Sequence, residues 1–144
     1  MLRSHAETMY ARDATCKTLG ITIDDVGPGR AVLRMRVTDT MTNGHGTAHG
    51  GYLFLLADAA FAYACNSHGP VAVAHTAQMT FLRPASVGDV LVAEATERGR
   101  HGRDGLYDVT VSRPGDGVIA EFRGHSVTLA GPPQYANRVA CGMV

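Results

Sequence analysis

The residue in this sequence that is most able to take part in a reaction is Asp58, a single carboxylate inside a long apolar stretch. Between Gly50 and Cys65 it is the one ionisable side chain expected to be charged at neutral pH. An unpaired carboxylate in apolar surroundings costs several kcal/mol or is avoided by protonation. Two interpretations stay open. One is a structural Asp, hydrogen-bonded to a strand or exposed at a sheet end, and the other is a catalytic base or nucleophile.

Two glycines, Gly50 and Gly51, stand where this apolar helix is predicted to begin. A helix start without side chains leaves backbone N–H groups accessible to a ligand oxygen, and the positive end of the helix dipole favours such binding. These are the properties of an oxyanion hole. A tight turn that needs glycine for packing is the alternative.

The spacing of these two features sets a geometric condition. Because a helix rises about 1.5 Å per residue, Gly50 and Asp58 would lie about 12 Å apart along one helix. That distance is too long for both to touch one carbonyl group. If they act together, they come from two subunits, and a two-fold dimer with antiparallel central helices would create two composite sites.

The surrounding sequence predicts the elements that position these residues. An amphipathic helix is expected over residues 6–19, ended by Gly20, and a hairpin over 21–39. Four strands are expected after the central helix, in residues 71–84, 88–100, 105–114 and 117–131. A helix that is apolar on nearly every face must be surrounded, and a curled antiparallel sheet achieves this.

The predicted fold is therefore α+β, with a curved antiparallel sheet wrapped around a long central helix. We interpret residues 1–144 as one domain, with a core over about 6–130 and a C-terminal tail over 131–144. An open sheet of about six strands leaves free edges, and edge pairing between two copies is a natural way to cover one.

Composition narrows the classes of partner. Thirteen basic and thirteen acidic residues give no net charge, so neither nucleic acid nor an anionic membrane is an expected partner. The longest apolar run is interrupted by Asp58 and is too short to span a bilayer.

The three cysteines, Cys16, Cys65 and Cys141, lack any framework spacing, and the first twenty residues lack a signal-peptide core. We expect free thiols and a cytoplasmic location.

Three motifs in this order carry a resemblance to a known family. The run "NGHGTAHGGYLFLLADAAFAYACNSHG", followed by "FLRPASVGDVL" and "EFRGHSVTL", resembles the phenylacetate-pathway acyl-CoA thioesterases of the hotdog-fold superfamily, from about Tyr10 to Leu129. The resemblance implies hydrolysis of an aromatic acetyl-CoA, such as phenylacetyl-CoA or hydroxyphenylacetyl-CoA, to free acid and CoA. It also implies that the reaction needs no metal and no cofactor. The implied assembly is a homotetramer of two dimers, and the two subunits of each dimer share their active sites.

The resemblance also implies roles for single residues. Asp58 falls at the position of the catalytic carboxylate, which attacks the thioester or activates water. Gly50 falls where a backbone N–H polarises the thioester carbonyl, and His49 shapes that loop and contacts substrate. Asn43 matches an Asn whose amide holds the water or the substrate. Thr76 occupies a place where some related enzymes carry a hydroxyl close to the carboxylate.

Two arginines, Arg83 and Arg123, are candidates to contact the CoA phosphates, because each ends or interrupts an apolar strand. A solvated structural arginine is the alternative for both. The preferred acyl group does not follow from the residues.

Three other functions remain as alternatives. A hotdog hydratase or dehydratase needs an acid–base pair, and the sequence lacks both the Asp-x-Asn-Pro-x-His and the His-x-x-x-Pro-Gly arrangement. A non-catalytic acyl-CoA-binding protein would not need Asp58, and no basic DNA-binding segment is present. A metal site built from His45, His49, His68 and His75 is disfavoured, because glycines interrupt any helix that would carry the first two.

Overall fold

The computed structural model describes residues 2–129, which form one antiparallel sheet around a central helix. The helices are α1 (Leu2–Ala11), α2 (Ala14–Leu19) and α3 (Gly50–Cys65), and the strands are β1 (Thr22–Gly27), β2 (Arg30–Arg36), β3 (Ala72–Phe81), β4 (Val90–His101), β5 (Asp104–Arg113) and β6 (Gly117–Thr128). The strands lie in the order β1-β2-β4-β5-β6-β3, with every neighbouring pair antiparallel.

The central helix α3 contacts all six strands, so the sheet wraps around it. Its buried side chains are almost all apolar: Leu53, Leu56, Ala57, Ala60, Phe61, Tyr63, Ala64 and Cys65. The strands bury alternate residues against it, as Leu33 and Met35 of β2 and Val109 and Val111 of β5 show. This period of two is what places one face of a strand in a core. The predicted α+β architecture is confirmed.

The packing of α3 on the sheet depends on a glycine, Gly124 of β6. A Cβ placed on Gly124 would come within 2.8 to 2.9 Å of three ring atoms of Phe61, closer than real side chains approach. Phe61 also contacts Phe122 and Tyr107, with ring centroids 5.7 and 5.6 Å apart. The missing side chain therefore lets this buried ring lie directly on the strand.

We expect Gly124→Ala to destabilise the protein by about 1–3 kcal/mol, because the added methyl forces the Phe61 ring or the β6 backbone to move. Urea unfolding of the two proteins measures the difference. Gly99→Ala is a matched control, since a Cβ at this other strand glycine meets nothing within 4 Å. Equal losses in both variants would contradict the packing explanation.

The N-terminal helix differs from its prediction. The single helix expected over residues 6–19 is two helices, α1 and α2, because Asp13 begins a new one: its side chain accepts a hydrogen bond from Cys16 N at 3.0 Å. The predicted end at Gly20 is confirmed, with φ of 71° in the left-handed region. The hairpin expected over 21–39 is β1 and β2.

The strand β3 forms an open edge of the sheet. Only β6 pairs with it among the described residues, whereas α1 packs against the opposite edge strand, β1. Large apolar side chains flank this edge and stay exposed: Val71 at 41%, Phe81 at 54% and Leu82 at 56%. A free strand edge with exposed apolar neighbours is a surface that pairs readily with another chain.

Some sequence predictions concern residues beyond the described range. The C-terminal tail over 131–144, with Cys141, lies outside residues 2–129. Within that range Cys16 and Cys65 are free thiols, as predicted, and both are buried. None of the helices described here has the length and apolarity needed to cross a membrane.

Candidate active site

The loop that leads into α3 is organised by the side chain of Asn43. Its Oδ1 accepts hydrogen bonds from the backbone N–H groups of His45 and Thr47, at 2.9 and 3.2 Å. Its Nδ2 donates to Thr47 Oγ1 at 3.0 Å. Because an amide nitrogen carries two hydrogens, one donor of Asn43 remains for another partner.

Backbone bonds attach this loop to the rest of the domain. Ala48 N donates to Ala85 O at 2.8 Å, and His49 N donates to Met41 O at 2.7 Å. The start of α3 is therefore fixed by hydrogen bonds to one segment that precedes the helix in the chain and one that follows it.

The first turn of α3 leaves one backbone donor without an acceptor in the part of the chain that the structure describes. His49 is the N-cap residue, and its ring nitrogen Nδ1 accepts a hydrogen bond from Gly51 N at 3.0 Å. Tyr52 N donates to His49 O at 2.9 Å. Gly50 N has no acceptor among the described residues. The backbone N–H of Gly50 is thus the open donor at the positive end of the helix dipole, as an oxyanion site requires.

A cavity of about 330 Å³ lies beside this donor. Its lining includes three residues singled out in the sequence, Asn43, Gly50 and Arg83. The ring of Phe81 also lines it, and a Cβ on Gly50 would lie 3.1 Å from two of the ring atoms. Sequence reasoning missed Phe81, although its place in the "FLRP" motif and its spacing in β3 were available signals.

Asp58 lies in the middle of α3, on the side that faces β6. Phe54 and Phe61, four residues before and three after it, both pack on Phe122 of β6, with Phe54 at a centroid distance of 5.3 Å. Residues at these spacings share one side of a helix. The open strand β3 is the neighbour of β6, so Asp58 lies towards the free edge of the sheet.

The surroundings of Asp58 are apolar and its carboxylate is unpaired. The residue is half-buried, and no hydrogen bond or ion pair reaches it from residues 2–129. Burial raises the pKa of its carboxyl above the ordinary value. The pKa of Cys65, two turns further along the helix, is raised to about 12 by burial and by the negative charge of Asp58. The hydrogen-bonded form of the structural alternative therefore finds no support among the described residues, and an unpaired carboxylate in this position is what a catalytic base or nucleophile requires.

One chain does not bring Asp58 and Gly50 together. Both belong to α3, eight residues apart, which corresponds to about 12 Å along the axis. Asp58 does not line the cavity beside Gly50. The same-helix geometry expected from the sequence is confirmed.

The structure places Thr76 and Arg123 on the outer face of the sheet. Thr76 pairs with His125, and side chains directly opposite each other share a face. The neighbours of His125 in β6, Gly124 and Ser126, point into the core. A register shift between Ala74 and Thr76 sets this orientation. Within one chain, the Thr76 hydroxyl is therefore on the opposite side of the sheet from α3 and Asp58.

The two candidate arginines have different surroundings. Arg123 makes a two-pronged ion pair with Asp108, with distances of 2.7 and 2.9 Å, and this pairing lowers the pKa of Asp108. Arg83 donates through Nε to Val118 O at 3.0 Å and lies 3.6 Å from Asp116. Only Arg83 borders the cavity beside Gly50.

Three of the four histidines considered for a metal site, His49, His68 and His75, make separate side-chain contacts. His68 Nε2 lies 2.7 Å from Glu97 Oε1, and the His75 ring packs edge-on against His125, with centroids 5.2 Å apart. His49 Nδ1 is occupied by Gly51 N. In the part of the chain that the structure describes, no group of three or more His, Cys, Asp or Glu is arranged to hold a metal ion.

Comparison with known proteins identifies the family to which this chain is related. Residues 45–120 match the family model of the thioesterase superfamily. The acyl-coenzyme A thioesterase PaaI of Escherichia coli is 46% identical over 127 residues, covering 88% of this chain and 91% of that protein. A putative esterase of Archaeoglobus fulgidus is 34% identical over 124 residues, covering 86% and 80%.

Solved structures give the same result for the fold. The structure of the E. coli PaaI protein superposes with a TM-score of 0.88 at 45% identity, covering 90% of this chain and 94% of that one. The TT0310 protein of Thermus thermophilus superposes with a TM-score of 0.79 at 40% identity, covering 82% and 99%. Together with the family match over the central helix, these likenesses show that the chain belongs to the thioesterase superfamily, as a hotdog-fold enzyme that hydrolyses thioesters.

Proposed function

We propose that the enzyme hydrolyses acyl-CoA thioesters, with an aromatic acetyl group such as phenylacetyl or hydroxyphenylacetyl as its preferred acyl group. The observation that carries this proposal is the half-buried carboxylate of Asp58 in an apolar helix: among the described residues, neither this carboxylate nor the first N–H of the helix has a partner. The acyl group is inferred from likeness to PaaI, an acyl-coenzyme A thioesterase whose solved structure is described as from the phenylacetic acid degradation operon.

The active site is proposed to form between two copies of the chain. The exposed edge of β3 pairs with the same edge of a second copy, which places the two α3 helices side by side and antiparallel. The start of one helix then approaches the middle of the other. Asp58, on the side of α3 towards this edge, faces the second copy.

In this arrangement Gly50 N–H of one copy donates to the thioester carbonyl oxygen, and Asp58 of the second copy supplies the base or nucleophile. In one route Asp58 removes a proton from water while the water oxygen attacks the carbonyl carbon. In the other route the Asp58 carboxylate itself attacks that carbon and forms an anhydride, which water then cleaves. The carbonyl oxygen becomes an oxyanion, which the N–H stabilises. When the carbonyl reforms, the C–S bond breaks and CoA leaves as the thiolate, which takes up a proton.

Neighbouring groups complete the proposed site. The free amide hydrogen of Asn43 holds the water or the substrate, since its other polar contacts shape the loop. His49 contacts the substrate from the same loop. Arg83 contacts a CoA phosphate, supported by its place beside the cavity, whereas the charge of Arg123 is largely balanced by Asp108. A homotetramer of two such dimers and a cytoplasmic location belong to the same proposal.

A panel of thioesters tests the proposed substrate. We expect phenylacetyl-CoA and hydroxyphenylacetyl-CoA to give higher kcat/KM than benzoyl-CoA or straight-chain acyl-CoA, with release of free thiol as the readout. The aromatic acetyl group carries a flat apolar surface and one flexible carbon that benzoyl lacks. A preference for straight-chain acyl groups would contradict the aromatic assignment and leave the thioesterase assignment intact.

The alternatives from the same fold gain no support from the described residues. A hydratase needs an acid–base pair, but no histidine within residues 2–129 is hydrogen-bonded to Asp58. A protein that only binds acyl-CoA has no need of an unpaired carboxylate. Product analysis in the same panel separates these functions, because hydration or simple binding releases no thiol.

A further inference from the structure

The N-cap of α3 is a histidine, although serine, threonine, aspartate and asparagine are the usual residues at this position. The His49 ring accepts the Gly51 N–H through Nδ1, and an imidazole nitrogen that accepts a hydrogen bond carries no proton. The ring is therefore neutral in this contact, with its proton on Nε2.

This cap decides which backbone donor stays free. The ring takes Gly51 N–H and the carbonyl of His49 takes Tyr52 N–H, so only Gly50 N–H is left open in the first turn among the described residues. The ring also packs closely on its partner, because a Cβ on Gly51 would lie 3.3 Å from Nδ1.

The cap also restrains a segment that has little stiffness of its own. Two consecutive glycines, here Gly50 and Gly51, have more backbone freedom than any other pair of amino-acid types. A helix start without a cap also frays. The backbone of His49 is itself fixed, by the bond from its N–H to Met41 O at 2.7 Å. The ring thus transmits a fixed position from the preceding loop to the glycine turn.

We propose that His49 is a positioning residue whose neutral imidazole caps Gly51 and so aims the Gly50 N–H at the thioester oxygen. This inference rests on the proposed function of Gly50. A neutral cap suits the reaction for an electrostatic reason. A carboxylate cap would place a negative charge one residue from the developing oxyanion, and two negative charges this close repel each other.

Three substitutions at position 49 distinguish the effect of having a hydrogen-bond acceptor there from the effect of the charge on that acceptor. His49→Ala removes the acceptor, so kcat should fall about 10- to 100-fold, with a smaller change in KM. His49→Asn restores a neutral acceptor and should recover most of kcat. His49→Asp restores an acceptor that is charged, so the helix start should be as well ordered as with Asn while kcat stays low.

Amide hydrogen exchange at Gly51 reads out the cap independently of turnover. Exchange should speed up in His49→Ala and slow again in both capped variants. Unchanged exchange or unchanged kcat in His49→Ala would overturn the proposal, as would equal kcat in the Asn and Asp variants.

The same measurements separate this inference from the proposed function. An inactive wild-type protein, or full turnover in Asp58→Asn, would refute the proposed function, and the exchange data would then still decide the cap. A wild-type enzyme whose turnover depends on Asp58 but not on the residue at 49 would refute only the positioning role.

Discussion

Replacing Asp58 by asparagine is expected to lower acyl-CoA turnover by about 10²–10⁴-fold while the folded protein becomes more stable. Asparagine keeps the shape of the side chain but is neither a base nor a nucleophile. The unpaired carboxylate is costly in its apolar surroundings, so the neutral amide should raise Tm by the few degrees that about 1 kcal/mol gives in a domain of this size. Turnover and thermal unfolding are measured on the same preparation.

The gain in stability should depend on pH in a defined direction. Burial raises the pKa of folded Asp58 above the ordinary value of 3.8. The ionised carboxylate therefore destabilises the folded state at neutral pH, and this cost disappears as the pH falls through the raised pKa towards the unfolded value. The difference in Tm between Asp58→Asn and wild type should be largest near pH 7 and vanish below about pH 4.

Asp24→Asn is the matched control for this prediction. Asp24 accepts a hydrogen bond from Arg34 Nε at 2.9 Å on the β1–β2 hairpin, which lies at the opposite end of the sheet from β3. Its replacement should lower stability slightly and leave turnover unchanged. If Asp58→Asn instead lost stability and kept the turnover expected of its folded fraction, Asp58 would be a structural residue.

Gly50→Pro is expected to reduce turnover by about 10²–10³-fold, because proline at this position removes the proposed oxyanion donor. Proline is favoured in the first turn of a helix, where its missing N–H breaks no helical bond. The preceding residue already suits it, since His49 has φ of −62° and ψ of 132°.

Gly50→Ala controls for the added bulk. Both variants place a Cβ about 3.1 Å from the exposed ring of Phe81, but alanine keeps the N–H. The ratio of kcat between the two variants therefore removes the effect of the added Cβ and measures what is lost when the ring methylene of proline replaces the N–H hydrogen. Equal turnover in both would show that Gly50 serves packing alone.

Mixing Asp58→Asn with Gly50→Pro tests whether two copies share each site. In a mixed dimer one site combines an intact Gly50 with an intact Asp58, and the other site lacks both. Random exchange makes half of the dimers mixed, so activity should return to roughly a quarter of the wild-type value. Mixed dimers that form, as shown by differential tagging, but remain inactive would contradict the shared site.

The central helix and most of the strands can be predicted from the pattern of apolar and turn residues in short stretches of the sequence. The apolar run from Gly50 to Cys65 predicts the central helix, because its nearly all-round apolar character requires burial on every side. The position of Asp58 on that helix, and its separation from Gly50, need only the helix rise. The hairpins follow from alternation and turn residues, and the predicted strands agree with β1 to β6 within a few residues.

Several contacts depend on groups far apart in the chain. Gly124 could not be assigned its role from sequence, because the Phe61 ring that occupies its space lies 63 residues earlier. The outward direction of Thr76 depends on a register shift against β6, and a slip of one residue turns every side chain to the other face. The position of β3 at an open edge, beside the last strand of the chain, is a property of the sheet order.

Near neighbours along the chain are enough to predict most of the helices and strands, the fold class, and the separate positions of a donor and a carboxylate on one helix. Three features of the site could be seen only in the folded chain. Among the described residues Asp58 has no partner and His49 leaves Gly50 as the free donor, and Phe81 and Arg83 border the same cavity. These features depend on which side chains meet across the fold, and such meetings are set by packing and strand register, which local pattern does not specify.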